Sequence, residues 1–246
     1  MKLEEYVNLS KKQTEEFVSY EKELLKWNEV MNLTAITDHE EIELKHFIDS
    51  LTISSLIRDN FSVIDVGTGA GFPGIPLKIK NPTLNITLLD SLNKRVKFLN
   101  EVIKNLTLEN IEAVHGRAEE LGQNEKYREK YDYSVSRAVA RFEVLLEYMA
   151  PFVKPGGKII MMKGPKIEDE LKSGKRALKE LSCEIEEIKN FKLPDSDQER
   201  NIIIISKKEK LSKKYPRKPG IPAKMPLWEE KQSSDSCWLS GFFDIY

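Results

Sequence analysis

Residues 63–74, with the sequence VIDVGTGAGFPG, constrain the fold of this chain more than any other segment. The β-branched residues before Asp65 favour a strand. The glycines that follow permit a tight turn and the close approach of a ligand to the backbone. Pro73 is suited to the first turn of a helix, where the N–H group that it lacks would have no partner. The segment therefore predicts a strand, a glycine turn and a helix beginning at Pro73, which together form a nucleotide-type pocket at the carboxyl end of a parallel sheet.

Two classes of nucleotide fit this loop. Gly69, Gly71 and Gly74 match the dinucleotide fingerprint GxGxxG, in which backbone amides face a pyrophosphate. The other register, Asp65 with Gly67, Gly69 and Gly71, is similar to the first motif of S-adenosylmethionine (SAM) methyltransferases, in which the acid helps to hold the positively charged methionyl end. A carboxylate repels pyrophosphate and attracts a sulfonium or an ammonium. Asp65 therefore favours SAM, with an NAD-dependent oxidoreductase as the alternative.

Strands and helices alternate from Phe61 onward, as in βαβ units. Strands are predicted near residues 62–66, 85–89, 111–114, 131–136 and 158–162, with residues 155–157 as the turn before the fifth. A helix at about 167–181 and an antiparallel pair at Cys183–Lys192 and 201–206, joined by a turn sequence, are expected to close the sheet. The predicted fold class is therefore α/β, a doubly wound, seven-stranded Rossmann-like sheet of the SAM-dependent methyltransferase type.

The N-terminal residues 1–60 are predicted to form a helical extension. Apolar side chains recur there at steps of three and four, which is the spacing of one helix face; they are Phe17, Tyr20, Leu24, Trp27 and Met31. Thr37 is expected to cap a second helix, with Glu40 completing a capping box. The predicted organisation is thus a helical extension (1–60), a SAM-binding domain (61–206), a basic segment (207–227) and a tail of uncertain order (228–246).

The composition excludes several classes of protein. The 246 residues allow one large domain or one domain with an elaboration, and 40% hydrophobic with 32% charged residues indicates a soluble globular protein. No apolar run approaches the roughly 20 residues that span a bilayer, and acids near the N-terminus disfavour a signal peptide. Only Cys183 and Cys237 are present, and the three histidines lack metal-ligand spacing. We therefore expect a cytoplasmic protein with no disulfide framework, no metal site and no membrane partner.

A basic segment near the C-terminus is expected to contact RNA. Residues 207–224 contain eight lysine and arginine residues against Glu209 alone. Such a run suits phosphate contacts, although a solvated tail is the common alternative. Prolines at 216, 219 and 222 stiffen this segment, which favours a shaped binding surface. The residues predicted to contact RNA here are Lys213, Lys214, Arg217 and Lys218.

Loops after the other strands supply further candidate site residues. Asp90 ends the second strand, where a carboxylate can bond both ribose hydroxyls or cap the next helix. Ala118 and Glu119 follow the third strand beside the adenine position. Ala118 leaves room for a flat ring, and Glu119 or its backbone can bond the exocyclic amine; a helix start with acids in its first turn is the alternative.

Arg137, after the fourth strand, is placed to meet a cofactor carboxylate or a substrate phosphate, or to form a structural ion pair. Lys163, after the fifth strand, is expected on the same rim, within reach of RNA phosphate.

The motifs that are missing narrow the chemistry. No Asn/Asp-Pro-Pro-aromatic motif follows the fourth strand, which disfavours methylation of an exocyclic amine by that route. Neither cysteine lies on a loop at the carboxyl end of a core strand, so covalent attack on a pyrimidine lacks its nucleophile. An acceptor that is already nucleophilic, such as guanine N7, fits better. It requires only alignment with the methyl group and sulfur, so no catalytic general base is predicted.

The separated motifs together resemble one known family, RsmG, also called GidB. The resemblance covers about residues 15–227 and is carried by Trp27-Asn28 and Met31-Asn32-Leu33-Thr34, Lys45-His46 with Asp49-Ser50-Leu51, the loop at 65–74, Asp90-Ser91-Leu92 with Lys94-Arg95, Arg117-Ala118-Glu119, Ser136-Arg137-Ala138 and residues 215–220. It implies a bacterial 16S rRNA (guanine-N7)-methyltransferase that uses SAM.

The resemblance also implies a substrate and a set of cofactor contacts. The acceptor would be a guanosine in a small-subunit rRNA loop near the decoding centre, as 16S rRNA or a small ribosomal subunit particle. The family's cofactor contacts fall on Gly67, Phe72, Ala118, Glu119 and Arg137. A non-catalytic RNA-binding assembly factor is the further alternative, and DNA is not an expected partner.

Overall fold

The computed structural model describes residues 3–137 and 140–228. Its seven strands form one sheet; they are β1 (Ser62–Val66), β2 (Asn85–Asp90), β3 (Ile111–His115), β4 (Tyr131–Arg137), β5 (Val153–Lys163), β6 (Cys183–Lys192) and β7 (Glu199–Lys207). The strand order is β3-β2-β1-β4-β5-β7-β6. Strands β1 to β5 are parallel, and β7 runs antiparallel to both of its neighbours. The predicted α/β fold class, a seven-stranded sheet closed by an antiparallel pair, is confirmed.

Helices cover both faces of the sheet and supply the N-terminal extension. The extension comprises α1 (Leu3–Tyr6), α2 (Lys11–Met31), α3 (His39–Ile42), a π-helical stretch (Glu43–Ile48) and α4 (Asp49–Leu51). The later helices are α5 (Gly74–Lys80), α6 (Asn93–Asn105), α7 (Ala118–Leu121), α8 (Phe142–Met149), α9 (Glu168–Ser173), α10 (Lys175–Glu180) and α11 (Ile221–Lys224). In the part of the chain that the structure describes, no helix is both long enough and apolar enough to cross a membrane.

The core divides into two layers, one on each face of the sheet. Successive side chains of a strand point to opposite faces, so Val63 joins the layer under α2, α5 and α6, whereas Ile64 joins the layer under α8 and α10. The first layer includes the buried rings of Phe17, Tyr20, Phe47, Phe72 and Phe98. The N-terminal extension therefore packs against the same sheet face as the helix that follows the glycine loop.

Three local predictions differ from the structure. The cap of α3 is Asp38 and not Thr37, because the Asp38 carboxylate accepts the Glu41 N–H at 3.0 Å. The helix predicted at about 167–181 is broken at Gly174, where a side chain would lie 2.3 Å from the Phe142 ring. Residues 155–157 are not a turn before the fifth strand. They form an irregularity within β5, whose pairing partner on β4 shifts from Tyr131 at Val153 to Tyr133 at Lys158.

Candidate active site

The glycine loop between β1 and α5 turns over the carboxyl end of the sheet. Gly67, Gly69 and Gly71 have φ values of +73°, +64° and +98°. These left-handed conformations strain every other residue type, which explains three glycines at alternate positions. The amide of Gly67 donates to the Leu89 carbonyl at 2.9 Å, and that of Gly69 donates to the Asp90 carboxylate at 2.9 Å. The loop is therefore tied to the end of β2.

Asp65 lies behind the glycine loop and not in the cleft. Its carboxyl is fully buried, and its Oδ2 accepts hydrogen bonds from Thr68 Oγ1 at 2.6 Å and from the Gly74 N–H at 2.9 Å. Burial raises the pKa of Asp65 to about 7, against the lowering effect of those two donors. Asp65, predicted to help to hold the methionyl end, is placed by the structure as a brace between the loop and α5.

Gly71 also has a packing role and does not line the cleft. A side chain there would lie 2.5 Å from Ile75 Cδ1 and 2.7 Å from the Tyr20 hydroxyl. Tyr20, on α2, donates its buried hydroxyl to the Ala70 carbonyl at 2.5 Å. The N-terminal extension therefore packs directly on the glycine loop through Tyr20, and Gly71 leaves room for that contact.

Two adjoining cavities run along the carboxyl edge of β1, β2 and β4, with volumes of about 510 and 400 Å³. They share Gly67, Asp90 and Ser91. The larger is lined by Val66, Leu89, Leu92, Gly116, Arg117, Ala118, Glu119, Ala140, Leu145 and Tyr148, and the smaller by Leu33, Thr34, His46, Thr68, Gly69, Ala70, Phe72, Arg95 and Arg137. Together they form one elongated cleft that contains seven of the nine predicted cofactor-binding residues.

Asp90 stands where the two cavities meet. Its Oδ2 accepts from the Gly69 N–H at 2.9 Å and from Arg95 at 3.3 Å, and its Oδ1 accepts from the Leu92 N–H at 2.8 Å. A carboxylate has about four acceptor sites in all. Asp90 therefore shapes the loops and keeps limited acceptor capacity for a ligand. It does not cap α6, whose N-cap residue is Leu92 and which has no side-chain cap.

The larger cavity ends at Glu119. Half-buried Ala118 and buried Glu119 open the short helix α7 on the cavity wall. Glu119 Oε1 accepts the N–H of Gly220 at 3.0 Å, and Tyr148 lines the same cavity. The acceptor predicted for an exocyclic amine is thus in place. Gly220 comes from a distant part of the chain, and sequence patterns give no signal for this contact.

The smaller cavity ends at a stack of His46, Phe72 and Arg137. The imidazole of His46 lies parallel to the Phe72 ring at 4.5 Å, and the Arg137 guanidinium lies 4.7 Å from the centre of that ring. Arg137 contacts His46 Nδ1 at 3.1 Å, and His46 Nε2 lies 2.9 Å from Thr34 Oγ1. Burial, with Arg137 nearby, lowers the pKa of His46 to about 4. The imidazole is therefore neutral at pH 7, with Nδ1 as the acceptor for Arg137.

A buried carboxylate fixes Arg137 from the other side. Asp49 Oδ2 lies 3.6 Å from the Arg137 guanidinium and 3.2 Å from that of Arg200 on β7. Burial raises the pKa of Asp49, and the two arginines oppose that rise. The structural ion pair considered for Arg137 is therefore present, and the same guanidinium faces the cleft. Thr34, His46, Asp49 and Arg200 were not predicted as site residues, although Lys45-His46 and Asp49 carried part of the family resemblance.

The predicted RNA-contacting residues fall into two groups. Lys163 is buried, with hydrogen bonds to the Ala140 carbonyl and to Glu170, both at 2.7 Å. Arg217 donates to Glu147, which is fully buried, at 2.6–3.1 Å. Of these two cations, Lys163 would have to exchange a protein partner for a phosphate. Lys213, Lys214 and Lys218 are exposed.

Three further features of the structure bear on the sequence predictions. Lys207, counted in the basic segment, is a fully buried part of β7 and donates to Glu129 Oε1 and to the Val153 carbonyl, both at 2.6 Å. Burial raises the pKa of the Cys183 thiol to about 12, which disfavours a thiolate nucleophile there. Within residues 3–137 and 140–228, no group of three or more histidine, cysteine, aspartate or glutamate side chains could hold a metal ion. Cys237 and the predicted tail beyond Trp228 lie outside the described residues.

The donor set of the cleft fits SAM. Carboxylates at Glu119 and Asp90 match an adenine amine and ribose hydroxyls, and the Arg137 guanidinium matches a carboxylate. A Cβ added to Gly69 would meet nothing within 4 Å, so the loop leaves open space beside its backbone. A ligand with an amine at one end and a carboxylate at the other therefore finds complementary groups along the whole cleft.

Solved structures share this fold. The crystal structure of M. jannaschii TYW2 in complex with AdoMet aligns with a TM-score of 0.52 and 16% identity, over 71% of this chain and 78% of that chain. A predicted O-methyltransferase from Agrobacterium tumefaciens aligns with a TM-score of 0.54 and 18% identity, over 67% and 84%. The fold and the cleft together define a SAM-dependent methyltransferase.

The sequence comparisons give the family. The GidB family model, described as rRNA small subunit methyltransferase G, matches residues 13–203. Ribosomal RNA small subunit methyltransferase G of Acetivibrio thermocellus is 57% identical over 90% of this chain and 91% of its own length, and that of Alkaliphilus metalliredigens is 52% identical over 87% and 91%. The chain belongs to the rRNA small subunit methyltransferase G family, which confirms the resemblance and decides against the NAD-dependent alternative.

Proposed function

We propose that this protein transfers the methyl group of SAM to N7 of a guanosine in 16S rRNA, in a loop near the decoding centre. The observation that carries the proposal is the cleft itself: two joined cavities with acceptors for an adenosine at one end and a guanidinium for a carboxylate at the other. Family membership adds rRNA of the small subunit as the substrate class.

The residues of the cleft have separate tasks in holding the donor. Glu119 and Ala118 would receive the adenine, Asp90 a ribose hydroxyl, and Arg137 the carboxylate. Gly67 and Gly69 leave space beside the loop backbone, and Phe72 orients Arg137 from below its guanidinium. Bound SAM supplies an electrophilic methyl group on a sulfonium. The protein then needs to align that group with its acceptor and exclude water.

The acceptor atom requires no general base. Guanine N7 carries an unprotonated lone pair at neutral pH, so no proton has to leave before attack. The one imidazole in the cleft supports this chemistry, because His46 is neutral and both of its ring nitrogens are engaged, by Arg137 and Thr34. We propose that catalysis rests on proximity and orientation, with no catalytic acid or base.

RNA would approach across the rim of the same cleft. The exposed Lys213, Lys214 and Lys218 would contact phosphates, which give affinity without reading base sequence. Arg137 and Lys163 would join this contact set if phosphates displaced their present carboxylate partners. Arg217 would join it while its Nε and Nη2 remain on Glu147. We propose a cytoplasmic enzyme that acts on 16S rRNA or on a small ribosomal subunit particle.

The test combines titration of SAM with a methylation assay. Wild-type protein should bind SAM in calorimetry and produce N7-methylguanosine in either naked 16S rRNA or small-subunit particles. Gly67→Arg should abolish both, because Gly67 lines both cavities of the cleft. Gly156→Arg is the matched control: Gly156 also has a positive φ, +82°, but it lies on β5 outside the cleft lining, where a side chain would meet open space.

Each possible failure has a distinct meaning. A folded protein that does not bind SAM would contradict the cofactor assignment. SAM binding without methylation of either RNA substrate would instead favour the non-catalytic assembly factor. Equal loss in the Gly67 and Gly156 variants would mean that the arginine acts through backbone strain and not through the cleft.

A further inference from the structure

Glu119 is held by a group that reaches it from a distant part of the chain. Its Oε1 accepts the Gly220 N–H at 3.0 Å. Only 8% of Glu119 is exposed, and both Glu119 and Tyr148 on α8 line the larger cavity. Because α7 has only four residues, this bond from outside the helix is what orients the carboxylate.

The Gly220 amide arrives on a segment that we call the C-terminal strap, residues 208–227. Arg128 holds its first part by donating to the carbonyl groups of Leu211, Ser212 and Tyr215 at 2.7–3.0 Å. Arg217 holds its middle, with its backbone N–H and guanidinium both bonded to the buried carboxylate of Glu147. The position of Gly220 is therefore set three residues beyond a buried ion pair.

The direction of this bond determines what the carboxylate can recognise. The Gly220 N–H is a donor, so it orients Glu119 without removing its negative charge. A carboxylate fixed on a cavity wall accepts from the amino group at position 6 of adenine and repels an oxo group at that position. A carboxylate free to rotate would lose much of this discrimination.

We propose that Gly220 is a positioning residue that fixes Glu119 for recognition of the adenine amino group, so that the C-terminal strap determines the base specificity of the cofactor site. This inference rests on the proposed function, since it assumes that the larger cavity receives the adenosine of SAM. The strap would thus have two roles: its Gly220 amide orients Glu119 in the cofactor site, and its exposed lysines contact RNA.

The experiment compares two ligands in calorimetry: S-adenosylhomocysteine and S-inosylhomocysteine, which carries an oxo group where adenine has its amine. Wild type should bind the adenosyl ligand at least about tenfold more tightly. Arg128→Met releases the first part of the strap and Arg217→Met releases its middle, each with little change in side-chain volume. Each should reduce that affinity ratio by about threefold or more.

Lys210→Met is the matched control for both variants, because it removes one positive charge from an exposed position of the same strap. Its affinity ratio should equal that of wild type. Equal weakening of both ligands in Arg128→Met and Arg217→Met, with an unchanged ratio, would show a merely structural role and overturn the inference. If one of these two variants fails to fold, the other decides.

Binding by wild-type protein distinguishes failure of this inference from failure of the proposed function. Tight binding of both ligands without discrimination would overturn the inference and leave the proposed function intact. Failure of wild type to bind either ligand would contradict the proposed function itself.

Discussion

At the residue scale, Asp65 carries the clearest pH signature. Burial raises the pKa of its carboxyl to about 7 in the folded protein, well above the unfolded value of 3.8. Between these two values the folded state binds a proton that the unfolded state has lost. Stability contributed by this group must therefore decrease as the pH rises from about 4 to about 7, by at most about 1.4 kcal/mol per pH unit.

Asp65→Asn isolates this effect, because the amide retains an oxygen for Thr68 and Gly74 and does not titrate. The free energy of unfolding of wild type minus that of the variant should fall as the pH rises from 4 to 7 and level off above pH 7. Denaturant titrations at four or five pH values measure it. A constant difference across that range would mean that Asp65 ionises normally in the folded state.

The residues of the site differ in how well sequence predicts them. Gly67 and Asp90 were predicted because they sit at strand ends in one βαβ unit, where chain order fixes spatial order. Asp65 belongs to the same pattern, but its orientation depends on Thr68 Oγ1 and the Gly74 amide, which local sequence does not specify. His46 and Asp49 come from the N-terminal extension, and only tertiary packing brings them to Arg137.

At the element scale, neighbouring glycines of the loop have different tasks. Gly69→Ala places a methyl group in open space on the cleft, whereas Gly71→Ala forces one against Ile75 and Tyr20. Gly69→Ala should cost about 1 kcal/mol of stability through its positive φ and weaken SAM binding at least about tenfold. Gly71→Ala should cost more, about 2–4 kcal/mol, from strain and overpacking together.

Denaturant unfolding and SAM titration of both variants check this separation. Gly156→Ala is the control for φ alone, since its Cβ also meets nothing within 4 Å and it lies outside the cleft lining. It should lose stability as Gly69→Ala does and keep the SAM affinity of wild type. The same loss of SAM affinity in Gly156→Ala would refute the assignment of Gly69 to the cleft.

Elements were predicted best where one periodicity dominates. The alternation of short apolar strands with helices located β1 to β5, and two β-rich runs joined by a turn sequence located β6 and β7. The central strands bury side chains on both faces, so apolar residues occupy consecutive positions in their sequences. The helix at about 167–181 failed at Gly174, where the close approach of Phe142 from another helix interrupts the chain's own pattern. Tertiary contacts of this kind have no local signal.

At the scale of the whole molecule, the predicted basic segment contains two kinds of positive charge: some side chains are paired inside the protein, and others are exposed. Composition predicted one basic segment, but Lys207 and Arg217 are engaged by Glu129 and Glu147 inside the protein. Lys213, Lys214 and Lys218 face solvent. The sum of charges along a segment therefore does not predict how many of them are available to a phosphate backbone.

Replacing Lys213, Lys214 and Lys218 together by alanine should weaken binding of a 16S rRNA fragment and flatten its salt dependence. Removing three phosphate contacts lowers the magnitude of the slope of log K against log salt by about 2 for single strands. The affinity for SAM alone should remain near that of wild type. Binding measured at several salt concentrations gives the slope, and an unchanged slope would place the RNA elsewhere.

The matched control removes three exposed lysines from α2, Lys11, Lys12 and Lys22. It changes the net charge by the same amount and leaves the strap intact. Its salt slope should equal that of wild type. A similar loss in both triple variants would indicate a general charge effect and not a docking surface.

The proposed RNA contacts and the cofactor cleft would be connected by the strap, since its outer lysines are exposed while Gly220 bonds Glu119 on the cavity wall. A ligand that orders the strap on one side should therefore favour binding on the other. We expect a saturating 16S rRNA fragment to tighten S-adenosylhomocysteine binding about fivefold or more, and S-adenosylhomocysteine to tighten RNA binding by the same factor, because linkage is reciprocal.

Arg217→Met should reduce both factors together, because it frees the strap from α8. Equal S-adenosylhomocysteine affinities with and without RNA in wild type would show that the two sites act independently.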